Sequence, residues 1–190
     1  MIVTHVNYDS TEITAFIRSG DYLWVAFAAV DGVCVISKVY ANDMTQVYFS
    51  VSVQANRVKQ LAISNGSVVA LLDSASYVLA YFADTNPLLG VTYTLRSSGS
   101  SYVPTILWAD DDICAVGFNS ELEPSRLSFY SLYTFTLDST LELNETGSQI
   151  FNLSAITKGG TTLWLATEEA TSRLIRVPSP YTEYFVTALG

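Results

Sequence analysis

The apolar residues of this chain fall into short runs cut by Gly, Asn, Asp and Ser, and several runs contain no polar position. Leu23-Trp24-Val25-Ala26-Phe27, Val68-Val69-Ala70-Leu71-Leu72 and Ile113-Cys114-Ala115-Val116 are unbroken. A strand with one wet face alternates, whereas a strand covered on both faces does not. These runs therefore predict strands buried on both sides. No segment carries convincing helical spacing, so helix is expected to be minor.

The runs are organised into four groups that open at Ile13, Val58, Val103 and Ile150, in steps of 45, 45 and 47 residues. Turn residues divide each group into β-rich pieces. The first reads as Ile13–Arg18, Tyr22–Ala28, Val33–Val39 and Thr45–Val53. The second reads as Val58–Ser64, Val68–Leu72, Tyr77–Phe82 and Leu89–Leu95. The third gives Val103–Ala109, Ile113–Phe118 and Leu127–Leu132, with a fourth strand before Asn144 whose limits the pattern leaves open. The last gives Ile150–Thr157, Thr162–Thr167, Ser172–Val177 and Glu183–Leu189. The clearest internal match sets Gly20-Asp21-Tyr22-Leu23-Trp24-Val25-Ala26 against Gly160-Thr161-Thr162-Leu163-Trp164-Leu165-Ala166. A small residue recurs at Ala26, Ala70, Ala115 and Ala166, where close approach of neighbouring sheets would exclude a larger one. Trp24 and Trp164 are expected to wedge between sheets; Trp108 lies earlier in its group, at the end of a first strand.

A repeat of this length with four strands per unit resembles the β-propeller superfamily across residues 1–190. The resemblance implies an all-β fold of four-stranded antiparallel blades. Four lie in this chain, at about 13–53, 58–95, 103–143 and 150–189, within a single domain 1–190. Residues 1–7 would add an outer or closing strand. Four blades are the small end of what propellers use, so a larger ring with blades from elsewhere is the favoured expectation. The marks of the best-defined propeller families are missing. Trp24 precedes Val25 and Trp108 precedes Ala109, so there is no Trp-Asp dipeptide; a Gly-Gly pair occurs once, at Gly159-Gly160; and Ser19-Gly20-Asp21 lacks Asp-box spacing. Degenerate propellers of this kind occur in bacteriophage tail nozzles, tail fibres and other virion parts, which is the setting the resemblance suggests.

Composition narrows the function. The net charge is −9 with 14% charged residues, and the nine basic residues are scattered singly. Without a basic cluster, nucleic acid and anionic membrane surfaces are not expected partners. No apolar run approaches the roughly 20 residues of a spanning helix, the longest being Tyr22–Val30. Met1–Val6 lacks the basic-then-apolar pattern of a signal peptide and reads as a strand. The surface is left to Ser, Thr, Asn, Tyr and Gly, as in many extracellular and virus-particle proteins. Cys34 and Cys114 sit inside predicted strands without Cys-x-x-Cys spacing and read as small buried hydrophobes.

Candidate chemistry is sparse. Asp110-Asp111-Asp112 offers three carboxylates for a hard cation such as Ca²⁺, yet it falls where other groups place turns, and a turn accepts Asp readily. The longest connection between a second and third strand is Asn119–Arg126. Long loops on a rigid scaffold are where partners bind, which nominates Asn119, Glu121, Glu123 and Arg126, with Glu168 and Glu169 at the matching place in the fourth group. His5 is the only histidine, which rules out a metal cage of several histidines within one chain. No phosphate loop, nucleophile elbow or His-Glu-x-x-His motif occurs. A Ser-His-Asp triad is arithmetically open, though His5 sits in a predicted peripheral strand with no nucleophile motif nearby. Carboxylates of different blades meeting on an axis are a second hydrolytic arrangement left open. The sequons at Asn65, Asn144 and Asn152 are what chance gives a chain rich in Ser and Thr. The expectation is a non-catalytic structural or binding propeller without a cofactor, a virion component making contacts with other protein subunits or a receptor. The alternative is a secreted carbohydrate-binding or carbohydrate-active propeller with a glycan as ligand. An intracellular scaffold ranks third.

Overall fold

The computed structural model describes residues 12–83, 86–95, 101–110, 112–143, 149–156, 160–168 and 173–188. Among the described residues there is no helix, and sixteen strands follow one another. The first sheet is β1 (Ile13–Ser19), β2 (Tyr22–Phe27), β3 (Val33–Tyr40) and β4 (Asp43–Gln54). The second is β5 (Arg57–Ser64), β6 (Ser67–Asp73), β7 (Val78–Ala83) and β8 (Asn86–Thr94). The third is β9 (Val103–Ala109), β10 (Ile113–Asn119), β11 (Arg126–Ser131) and β12 (Thr136–Glu142). The fourth is β13 (Gln149–Ile156), β14 (Thr162–Glu168), β15 (Arg173–Pro178) and β16 (Phe185–Ala188). In every sheet, chain order is spatial order. The all-β expectation of four antiparallel four-stranded sheets holds.

Local chemistry sets the hairpins. Between β5 and β6, Asn65 and Gly66 both take positive φ, 48° and 77°, with Ser64 paired to Ser67. Two such residues in sequence match the twist of the flanking strands, and Asn-Gly adopts that geometry at least cost. Where structure and expectation differ, exposure or edge position is the reason. β12 is wet at nearly every position, so no apolar run marked its limits. β8 begins at Asn86 and takes in Pro87; it is an outermost strand, where a missing N–H is tolerated. β16 begins at Phe185 rather than at the expected Glu183, and Leu189 lies outside the described residues. The strand expected at 1–7, and His5 within it, lies outside the described residues.

The chain divides into two compact units, one holding β1–β8 and the other β10–β16 with most of β9. In the first unit, register sets Trp24 opposite Lys38 and Lys38 opposite Phe49, and Ala26 opposite Ile36 and Ile36 opposite Val51. Paired residues of an antiparallel ladder share a face, and this face packs on Val58, Leu61, Val68, Ala70, Leu72 and Phe82 of the second sheet. Trp24 meets Phe49 edge-on, with ring centroids 5.1 Å apart. Lys38, only 4% exposed, places its Nζ 4.2 Å from the Tyr22 ring centroid and 5.3 Å from that of Tyr48. The rings substitute in part for the water its charge has lost. Ala26 and Ala70 belong to opposed sheets of the same core rather than to one repeated position, and both are fully buried.

In the second unit, Ala115, Leu127 and Phe129 of the third sheet pack on Ile150, Leu163, Leu165, Ile175 and Val177 of the fourth. Tyr181 stacks on Phe129 at 4.9 Å, and half-buried Trp108 packs against the same cluster. Trp164 does not enter this core. Its neighbours Leu163 and Leu165 point there, so alternation turns the indole to the other face of its sheet, where it is half-buried. Cys34 and Cys114 are free, buried thiols. Cys34 Sγ–H donates to the Ala55 carbonyl at 3.4 Å. Burial raises both thiol pKa values, that of Cys114 from 9.0 to about 12.

Two outcomes follow from this packing. Trp24→Ala should lower unfolding free energy by about 3–5 kcal/mol in urea titration, and Trp164→Ala by markedly less. For Cys114, ionisation is easier in the unfolded chain than in the folded one. Its contribution is therefore complete below pH 9 and is lost as pH rises towards 12. Melting temperature should fall over that interval, and less steeply in Cys114→Ala. An equal slope in the variant would assign the loss to other groups.

Candidate functional site

The loop between β10 and β11 in the second unit is held at its base by an unusual density of polar contacts. Asn119, the last residue of β10, is almost wholly buried. Its carboxamide behaves like a short length of strand: Nδ2 donates to the Ile150 carbonyl at 2.9 Å, and the Ile150 N–H donates to Oδ1 at 2.8 Å. The Ser125 hydroxyl, fully buried, donates to the same Oδ1 at 3.1 Å. Asn119 thereby ties the third sheet to the fourth and closes the neck of the loop. The Ser125 carbonyl accepts the Leu143 N–H at 2.9 Å.

Ser120 shapes the next turn. Its Oγ accepts the N–H groups of Leu122 and Glu123, both at 3.2 Å, and donates to Ser101 Oγ at 3.2 Å. This is the turn that Ser favours by offering the backbone a local acceptor. On the far limb the Tyr102 hydroxyl donates to the Pro124 carbonyl at 3.1 Å. Arg126 lays its guanidinium over the Tyr102 ring, with Cζ 3.9 Å from the centroid, and also faces Phe118 at 5.2 Å. Among the described residues its Nε has no acceptor, so ring faces are its chief surroundings. Burial raises the Tyr102 pKa, with Arg126 opposing and Glu123 and Glu142 adding to the rise.

What this scaffold presents is a wet tip. Glu121, Leu122 and Glu123 are exposed, Leu122 at 80%. Beside the tip lies a cleft of about 470 Å³ whose walls include Ser101, Val103, Thr105, Glu121, Leu122 and Gln149. Among the described residues its lining mixes hydroxyl and amide side chains with Val103 and Leu122, and Glu121 supplies one carboxylate. Such a surface can hydrogen-bond and accept a cation or an apolar contact.

The nominated residues are distributed as follows. Asn119 and Glu121 line the cleft, and Glu123 stands exposed on the tip. Arg126 lies beneath, against rings. Glu168 ends β14, and its backbone pairs with Gln149 of the cleft wall; Glu169 lies outside the described residues. Asp110 follows β9 and exposed Asp112 precedes β10, whereas Asp111 lies outside the described residues. Among the described residues no group of three His, Cys, Asp or Glu is placed to hold a metal. Ser120, Ser125, Tyr102 and Gln149 were not nominated from the sequence. The first two sit in the loop as Ser residues that could have been read as turn formers; nothing local marks the others. The first unit has a groove of its own, about 630 Å³, along β1 and β5 beside exposed Phe16 and Lys59.

No protein-family model and no curated protein sequence matches the chain. Solved structures do. The β-propeller domain of Cps50 (Swd1) from Myceliophteria thermophila aligns at 18% identity and TM-score 0.64, covering 94% of this chain and 58% of that one. The WD40 repeats of RRP9 align at 10% identity and TM-score 0.68, covering 95% and 52%. BamB from Moraxella catarrhalis aligns at 15% identity and TM-score 0.61, covering 94% and 54%. The fold is that of a β-propeller, and the four sheets are its blades. The chain spans about half the length of the propeller structures it matches.

Truncating the clamp tests the base of this site. Asn119→Ala leaves the Ile150 N–H and carbonyl without their partner and should destabilise the protein by about 2–4 kcal/mol, read by chemical denaturation. Glu121→Gln on the tip should leave stability within about 0.5 kcal/mol.

Proposed function

We propose that this chain is a non-catalytic interaction propeller whose β10–β11 loop and adjoining cleft dock another protein subunit. The observation that carries the reading is the contrast within one loop. Its neck is fixed by Asn119, Ser120, Ser125 and Tyr102, while Glu121, Leu122 and Glu123 stand in water. A pre-ordered tip loses little conformational freedom on binding, which favours affinity without a large interface. Leu122 would supply the apolar anchor, and the two glutamates would select a partner with basic groups opposite. The candidates Asn119 and Arg126 enter as positioning residues, and Glu168 and Glu169 as the neighbouring rim.

The propellers of similar structure support an interaction role. Two of them carry WD40 or β-propeller descriptions. The finer part of the proposal is the setting: a subunit of a virus particle, such as a phage tail or fibre. Its support is the neutral, charge-poor composition.

A photo-crosslinking amino acid at position 122, in the protein expressed in its native source, should join one defined protein. The same residue at Asn42, on an exposed turn of the first sheet, should not. Equal crosslinking at both positions would count against the loop, and specific retention of the isolated chain on a glycan array would favour sugar binding instead. Recovery of the crosslinked chain in purified particles tests the setting separately.

A further inference from the structure

The face of the fourth blade turned away from the third carries a pattern that the chain uses elsewhere. Leu163, Leu165, Ile175 and Val177 point into the core shared with the third blade. Register puts Trp164, Arg176 and Phe185 in one row across the opposite face, and Ala166, Leu174 and Thr187 in the next. The first blade has the corresponding rows: Trp24, Lys38 and Phe49, then Ala26, Ile36 and Val51. Tryptophan, cation and phenylalanine succeed one another in both, and alanine followed by an aliphatic in both. In each the cation lies near an aromatic ring, with Arg176 Cζ 4.7 Å from the Phe185 centroid and Lys38 Nζ 5.6 Å from that of Trp24.

The two copies of the pattern differ in what covers them. On the first blade the rows lie against the second blade, with Trp24 and Ala26 at 0% exposure. On the fourth, Trp164 and Ala166 are half-buried, Arg176 is exposed and Phe185 is 45% exposed. Neither indole N–H has an acceptor among the described residues, so the ring acts on both faces as bulk to be buried.

We propose that this face of the fourth blade is an interblade contact completed by a blade of a second copy of this chain, two chains of four blades forming one ring. The chain shows that a blade is what such rows accept. It spans 52–58% of the propellers named above, and a ring of eight is within their usual range. A second copy has an apolar face to offer on its first blade, opposite the Trp24 rows, where Leu23, Phe27, Val33 and Val35 are half-buried around buried Val25, Ser37 and Val39.

Sedimentation equilibrium of the purified chain over a range of concentrations tests this. The expected mass is twice 20.8 kDa. Trp164→Glu and Phe185→Glu should each weaken the dimer about tenfold or more, as loss of a buried aromatic anchor does. Circular dichroism should stay native in both, and Phe185, at the exposed edge, is the safer substitution for folding. A dimer indifferent to both substitutions overturns the assignment. So does a chain that stays at 20.8 kDa throughout, the result expected where a different polypeptide supplies the covering blade.

Discussion

Each sheet of this protein has two faces that water cannot solvate well, and covering both is the constraint on which the structure depends. β6 is buried at every position but its last, and β10 at every position but its first. A single four-stranded sheet of that composition has no inside of its own. It acquires one only between neighbours, as in the cores built around Trp24 and around Phe129. Hydrophobic burial of this sort is non-directional, so the choice of neighbour falls to shape. Bulky Trp24 and small Ala26 and Ala70 let one pair of sheets approach closely, and a stacked Tyr181 fills the other core.

The same constraint explains where polar chemistry sits. The buried middle of a blade tolerates few hydrogen-bonding side chains, so they collect at strand ends, where the backbone has unpaired groups to offer. Asn119 is such a case. It is the last residue of β10 and gives both backbone groups of Ile150 in β13 a partner. Rigidity at the loop neck follows from one carboxamide being shared between two sheets.

Strand identity was largely legible because burial on both faces writes unbroken apolar runs, and because turns such as Asn65-Gly66 need backbone angles that few residue types accept. Facing was not legible. Ala26 and Ala70 look equivalent along the chain, yet hairpin register sets them on opposed surfaces. Trp164, matched to Trp24 in sequence, points away from the core that its own blade shares with the third. Exposed β12 left little signature, since pairing to β11 holds it and Leu141 is its residue packed against the Phe129 core. In the site, Asn119 stood out only by its place beside a long loop. The partner that defines it, Ile150, lies 31 residues further on, and no local pattern announces a bond across that distance. Gln149 entered the cleft for the same reason.

Among the described residues, every sheet pairs strands with their immediate neighbours in the chain. The loops that must close to form a blade are therefore short, and the entropy of closing them is small. All-β proteins usually fold slowly because distant segments must find each other. Here pairing within each leaf joins strands that are neighbours in the chain, and the long-range contacts are those of leaf on leaf. A break in the connection between Gln54 and Arg57 would sever no hydrogen-bonded ladder, so lengthening or shortening such a ring by whole leaves is an evolutionary step that the topology leaves open.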